Sequence, residues 1–388
     1  MILICEPNCV GFEHAEVNAA FIMIIAKASQ GEDVLFAAEE THLVNVIELL
    51  KDKSVSLMTL PIKIPRRNMP DVFRFLGDYS TLKNIFQVAI KNKIQKIYFC
   101  SILSPSLISL KIMMRYYKGI SVFTVIHSPL GTINIFPRRW YLLFPLLFWF
   151  RYAFLIGNHK RLKYIVLGKY IEENIKAEFP AVAAHIASID LPYIFKQPKW
   201  HDRQGSKVVS FASFGVGGKM KRTDLLFKLA EDISKMKTKH APEFIMMGHF
   251  VDGSIKEMNS RYVLNLSPSQ PLTRKEYDIL ADRCDYAIYF HDPQYYSFVT
   301  SGALFDAFSY VKPVIALKSP LFDHYFKLMG DIGYLCEGYE EMERAIIDIL
   351  NNDHSDRYRR QQQNILNGRN KISLISLAER LKKILAGY

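Results

Sequence analysis

The sequence predicts an α/β fold built from two parallel-sheet units, and three observations lead there. Short β-rich apolar runs alternate with longer helical stretches, the alternation starts afresh near residue 207, and a segment of linker composition separates the two series. A strand-helix-strand order places successive strands parallel, with helices over both faces of the sheet.

Taken in order, MILIC reads as the first strand, since it meets Glu6 and Pro7 at once and has no basic leader before its apolar run. Apolar residues at helical spacing over roughly 14 to 30 predict a helix, and DVLFAA a second strand. A helix over the 40s, the strand SVSLMTL, a helix around 70 to 92, and the strands KIYFCS and SVFTVIH complete the first series. The second series runs through KVVSFAS, FIMMG, YVLNL, YAIYF, PVIAL and IGYLC. Between them DLPYIFKQPKWHDRQGS mixes proline, glycine and polar residues, which reads as a linker over 190–206. The expected organisation is an N-terminal domain over 1–189, that linker, a C-terminal domain over 207–365, and a terminal amphipathic helix over 366–388. A return of this helix to the N-terminal domain is one option.

With 388 residues, the chain exceeds the usual size of one domain, and 49% hydrophobic with 23% charged residues is ordinary globular composition. Its five cysteines are odd in number and form no C-x-x-C pair, so neither a disulfide framework nor a zinc site is expected, and a reducing cytoplasm fits. A net charge of +12 admits nucleic acid, an anionic membrane surface or phosphorylated small molecules as partners. No RNA- or DNA-binding signature accompanies the charge, and no nucleic-acid partner is expected. The segment 137–163, PRRWYLLFPLLFWFRYAFLIGNHKRLK, joins aromatic residues to basic flanks. Its charge-free run, Trp140 to Phe150, is too short to span a bilayer, which takes about 20 apolar residues. It reads as a helix lying peripherally on an anionic membrane, with a buried helix with basic ends as the other reading.

Several chemistries are absent from the text. No H-E-x-x-H, G-x-S-x-G, P-loop or D-x-D occurs, so no metal held by paired aspartates is expected. Two stretches suit a phosphate instead. In SFGVGGKMKRTDLL, Gly215, Gly217 and Gly218 let backbone N–H groups approach an anion, and Lys219, Lys221 and Arg222 add charge-assisted hydrogen bonds; a solvated flexible loop is the other reading. In HDPQYYSFVTSGALFDAF, Ser297, Thr300, Ser301 and Gly302 suit the cap and first turn of a helix, where free N–H groups favour a phosphate. Asp306, one turn further in, suits ribose hydroxyls; the alternative is a capped structural helix with Asp306 exposed.

The order of Gly-Phe-Glu13-His14 before the first helix, His127 ending SVFTVIH, the basic loop at Lys219 to Arg222, and S-G-x-L-x-D-A leading to K-P-V-I-A resembles bacterial GT-B glycosyltransferases of the family 4-like group. The resemblance covers nearly the whole chain in element order. It implies two Rossmann-like domains facing each other across a cleft, and transfer of a sugar from a UDP- or GDP-linked donor without metal or other cofactor. Lys221 matches the lysine of the family's R-x(4)-K pair, while Val216 stands at the arginine, leaving Lys219 or Arg222 to substitute. Asp306 matches the second acid of E-x(7)-E, and Phe298 stands at the first. Glu13, His14 and His127 are the implied catalytic group. Should the transfer invert, Glu13, His14 or Glu16 would be the base; a retaining transfer needs none. A glycan or lipid-linked acceptor in bacterial surface polysaccharide synthesis (lipopolysaccharide or capsule), handled at the inner face of the cell membrane, would suit the 137–163 segment. A sugar-nucleotide epimerase or hydrolase and an inactive or nucleic-acid-binding relative are the alternatives.

Overall fold

In the computed structural model the first series closes into a seven-stranded, all-parallel sheet. The structure describes residues 1–386 apart from 30, 54, 66–68, 70, 138–143, 201–206, 252–260 and 268. The chain runs β1 (Ile2–Glu6), α1 (Ala15–Ala28), β2 (Val34–Ala38), α2 (Glu40–Leu50), β3 (Leu57–Pro61), α3 (Asp71–Lys91), β4 (Lys96–Phe99), α4 (Ser104–Tyr116) and β5 (Ser121–Ile126). Two short helices, α5 (Pro145–Phe148) and α6 (Phe150–Leu155), precede β6 (Leu162–Leu167), α7 (Lys169–Glu178) and β7 (Ile186–Ile189). Strand order is 3-2-1-4-5-6-7, with Leu3 opposite both Leu35 and Ile97. All five residues of β1 are buried, which is why this strand is a continuous apolar run rather than an alternation. Edge strand β3 tolerates Pro61 because its outer side needs no ladder donor.

The second series forms a six-stranded parallel sheet of order 10-9-8-11-12-13. Its elements are β8 (Val208–Ser213), α8 (Asp224–Ser234), β9 (Ala241–Met246), β10 (Val263–Leu264), α9 (Arg274–Arg283), β11 (Tyr286–Tyr289), α10 (Gly302–Ser309), β12 (Val314–Leu317), α11 (Pro320–Met329), β13 (Gly333–Cys336), α12 (Tyr339–Asn351) and α13 (Ser355–Lys371). Phe211, Phe244, Tyr286, Ile346, Leu350 and Tyr358 fill its core. Close backbone approach demands glycine at two points here: a β-carbon on Gly248 would lie 2.2 Å from the Gly215 carbonyl oxygen, and one on Gly333 1.8 Å from that of Val314.

Last comes α14 (Leu374–Ala386). By contacts the chain divides into one unit of Met1–Ile194, Phe298–Thr300 and Ile372–Tyr388, and another of Phe195–Ser297 and Ser301–Lys371. Within the first unit α14 packs on α1. The sequence AEVNAAFIMIIAKA is apolar nearly all round because both α2 and α14 pack against α1. Both nitrogens of the Arg380 fork donate to Asp190 Oδ2 at 2.6 Å, fastening α14 beside β7.

Two expectations need correction. The terminal helix over 366–388 is interrupted: α13 stops at Lys371, and Ser373 starts a new helix by accepting the N–H of Ser376 on its hydroxyl at 3.3 Å. The aromatic segment is likewise no single helix. Trp149, with φ −85° and ψ 106°, is extended between α5 and α6; Phe150 and Phe154 are buried, and 138–143 lie outside the described residues. Of its basic flanks, Arg161 donates to the carbonyls of Met114, Tyr117 and Ile120, and Lys163 to that of Ala184. Those two side chains serve the fold.

Candidate functional site

In a parallel sheet the crevice for a ligand opens beyond the carboxyl ends of the strands, where the strand order reverses. The first unit reverses between β1 and β4, and there a cavity of about 730 Å³ is found. Behind its polar lining stands Glu6, the last residue of β1, 1% exposed. This carboxylate accepts from the N–H groups of Asn8 and Cys9, from Ser101 Oγ at 2.6 Å and from Asn18 Nδ2. Asn8 in turn donates to Ser101 Oγ and accepts from Arg74, which pairs with Asp78 at 3.1 Å. Burial pushes the Asp78 carboxyl up, against the pull of Arg74 and Ser106. The loop carrying the polar wall is therefore fixed by β1, β4, α3 and α4 together.

Glu13, His14 and His127, implied as a group by the resemblance, all line this cavity. Glu13 caps its own loop by accepting the Val10 N–H. His14 adopts a left-handed conformation, φ 52°, and its ring stands edge-on to His127 at 5.2 Å. Burial, and then the neighbouring His14, push His127 down to about 3, so at neutral pH it is an uncharged hydrogen-bonding group; Ser128 Oγ lies 2.7 Å from its Nδ1. Glu16 is not among the lining residues. The opposite wall is apolar, with Ile135, Phe148, Trp149 and Phe150. Lys111 steadies that wall by donating to the carbonyls of Ala153, Phe154 and Ile156 at 2.6 to 3.1 Å, where α6 ends.

In the second unit the reversal lies between β8 and β11. The loop after β8 is held by backbone bonds: Gly217 N–H to His249, Val251 N–H to Gly217, and Asp292 N–H to Met220. Lys221 and the start of α10 meet at Gly215, φ 73°, where a β-carbon would lie 3.1 Å from Lys221 Nζ and 3.3 Å from Ala303 Cβ. Burial pushes Lys221 down to about 8, opposed by the Asp306 carboxylate. Asp306 accepts from the Tyr277 hydroxyl at 2.9 Å. Ser301 is the N-cap of α10 and Gly302 its first residue. Lys219 is exposed, and Arg222 sits in a left-handed turn closing the loop.

No protein-family model matches the chain, and no curated protein matches it. Solved structures do, over the whole length. HepE of Anabaena in complex with UDP-glucose aligns with TM-score 0.64 at 15% identity, covering 100% of this chain and 99% of that one. A glycosyltransferase from Rickettsia africae gives 0.61 at 10% identity, covering 99% and 97%. A Listeria monocytogenes protein described as a UDP-N-acetylglucosamine 2-epimerase gives 0.56 at 12%, covering 98% and 94%.

The fold is GT-B.

In this GT-B chain the sequence-derived residues group unevenly. Gly215, Lys221, Asp306 and the start of α10 come together at one switch point; Glu13, His14 and His127 at the other. Gly217 was expected to offer its N–H to an anion, but that N–H is committed to His249, and a β-carbon there would strike Phe250 at 2.7 Å, so its glycine serves packing. The Gly218 N–H is likewise taken by Thr223 Oγ1. Ser297 is no cap of α10: it closes a 3-10 turn, Tyr295–Ser297, and donates to the Pro293 carbonyl. Thr300 belongs with Phe298 and Val299 to the first unit, where the Tyr170 hydroxyl donates to Val299. Sequence reasoning missed Glu6, Asn8, Arg74 and Ser101 in one half-site and His291 in the other. Each owes its place to a partner distant in sequence or to burial, and none carried a motif.

Proposed function

We propose that the protein is a glycosyltransferase that moves a sugar from a nucleoside diphosphate sugar, UDP- or GDP-linked, to a glycan or lipid-linked acceptor. The reading is carried by one observation: Lys221, Gly215 and the N-terminus of α10 converge beside Asp306 at the second unit's switch point. A departing diphosphate develops negative charge, and preorganised N–H groups with a lysine stabilise it; one such donor contributes roughly 3 kcal/mol to the transition state. In this reading Lys221, with Lys219 and Arg222 at the loop, supplies the cation without a metal, and Asp306 takes the ribose hydroxyls. The first unit's cavity takes the acceptor, its hydroxyls facing Glu13, His14 and His127 and its apolar part facing Trp149 and Phe150.

The exposed Phe136, Phe144, Leu146, Tyr152 and Leu155 beside that apolar wall support peripheral seating on a bacterial membrane during surface polysaccharide synthesis. The deciding experiment is a melting-temperature screen with UDP, GDP, ADP and CMP, followed by turnover of the matching sugar nucleotides with and without acceptor. Epimerisation without acceptor is the second reading, favoured by the similarity to the Listeria protein. Appearance of an epimer in acceptor-free mixtures decides for it.

A further inference from the structure

A serine at the N-cap of a helix ordinarily turns its hydroxyl oxygen to the N–H of the second or third helical residue. Ser301 stands at that position of α10 and makes no such bond. Its hydroxyl lies instead 3.0 Å from Nε2 of His291, and at 4% exposure solvent does not compete for it. The N–H groups of Gly302 and Ala303 find no acceptor among the described residues, and a β-carbon built on Gly302 meets nothing within 4 Å. The helix start is thus open, both in hydrogen bonding and in space.

His291 is itself 2% exposed, stacked on Tyr296 at 4.1 Å, and its Nδ1 has no partner among the described residues. Burying a polar atom unpaired is costly, so the imidazole is kept there against a penalty. Burial and the nearby Lys221 hold it well below the ordinary histidine range. Being neutral, it adds no charge to the site; what it does is hold a hydroxyl.

We propose that His291 is a positioning residue for the donor-phosphate site: by sequestering the Ser301 hydroxyl it keeps the first-turn N–H groups of α10 uncapped until a diphosphate takes them. The proposal rests on the donor reading given above. Released from His291, Ser301 would rotate onto its own helix and compete with the phosphate for the same donors.

Titration calorimetry of the full chain with UDP and GDP tests this. His291→Phe keeps the ring and its stacking but not the hydrogen bond, and is expected to weaken binding about tenfold, the loss of a free helix start. The double variant His291→Phe, Ser301→Ala has no hydroxyl left to cap α10 and is expected to recover to within about threefold of wild type. A merely structural role for His291 would not be rescued by a second deletion. Binding by His291→Phe equal to wild type, or a double variant as weak as the single, overturns the proposal. Hydrogen exchange at the Gly302 and Ala303 amides of wild type gives a check that needs no variant: fast without UDP, slowed with it. Amides already protected in the free protein overturn it. Wild-type protein that binds neither nucleotide removes the donor reading and this device with it; wild type that binds, with unresponsive variants, removes the device alone.

Discussion

Lys221 carries the most testable chemistry of any single residue. Replacement by Met should weaken UDP or GDP binding about 30-fold, the loss of a charge-assisted hydrogen bond at roughly 2 kcal/mol, with the melting temperature of the free protein nearly unchanged. Its titration gives a sign. Burial places the free side chain at about 8, so above that pH the unliganded lysine is neutral while a bound diphosphate favours the ammonium. Binding then takes up a proton, and the dissociation constant should rise toward about tenfold per pH unit above pH 8, a slope absent from Lys221→Met. Gly248→Ala should lower the melting temperature sharply, since the added carbon would meet the Gly215 carbonyl at 2.2 Å. Lys221 was legible in the sequence because glycines and lysines follow a strand and lead into a helix, and Asp306 because Ser-Gly opens a helix one turn before it. Glu6 was not: its decisive partner, Ser101, lies 95 residues away, and only the fold joins β1 to β4.

Among elements, α6 and α14 depend on single side chains. Lys111→Met should leave three carbonyls at the end of α6 without their shared donor and destabilise the protein by about 2 kcal/mol, read by denaturant unfolding. Arg380→Met strands the Asp190 carboxylate, 1% exposed, and should cost about 3 kcal/mol in the same assay. All six strands of the second sheet and five of the seven in the first were legible, because buried parallel strands are short continuous apolar runs; β6, α7 and β7, between the aromatic segment and the linker, were not read as elements. Element ends were harder. The break at Ser373 turns on one hydroxyl reaching an amide three residues on, and the break at Trp149 on a ring whose Nε1 donates to the Ile133 carbonyl. Neither interrupts the helical spacing of apolar residues, so periodicity passed over both.

For the whole molecule, turnover should persist in EDTA if lysines and helix N–H groups neutralise the leaving diphosphate. Loss of activity on chelation, restored by a divalent cation, counts against that assignment. Co-sedimentation with vesicles should favour anionic over neutral lipid and weaken with salt. The chain passes between its two units four times, at 194/195, 297/298, 300/301 and 371/372. Neither unit can therefore be cut out as one uninterrupted piece. A gene fragment ending near residue 194 would lack the helix that packs on α1, and should be recovered from cells as insoluble material unless α14 is supplied again, by fusion or as a separate peptide.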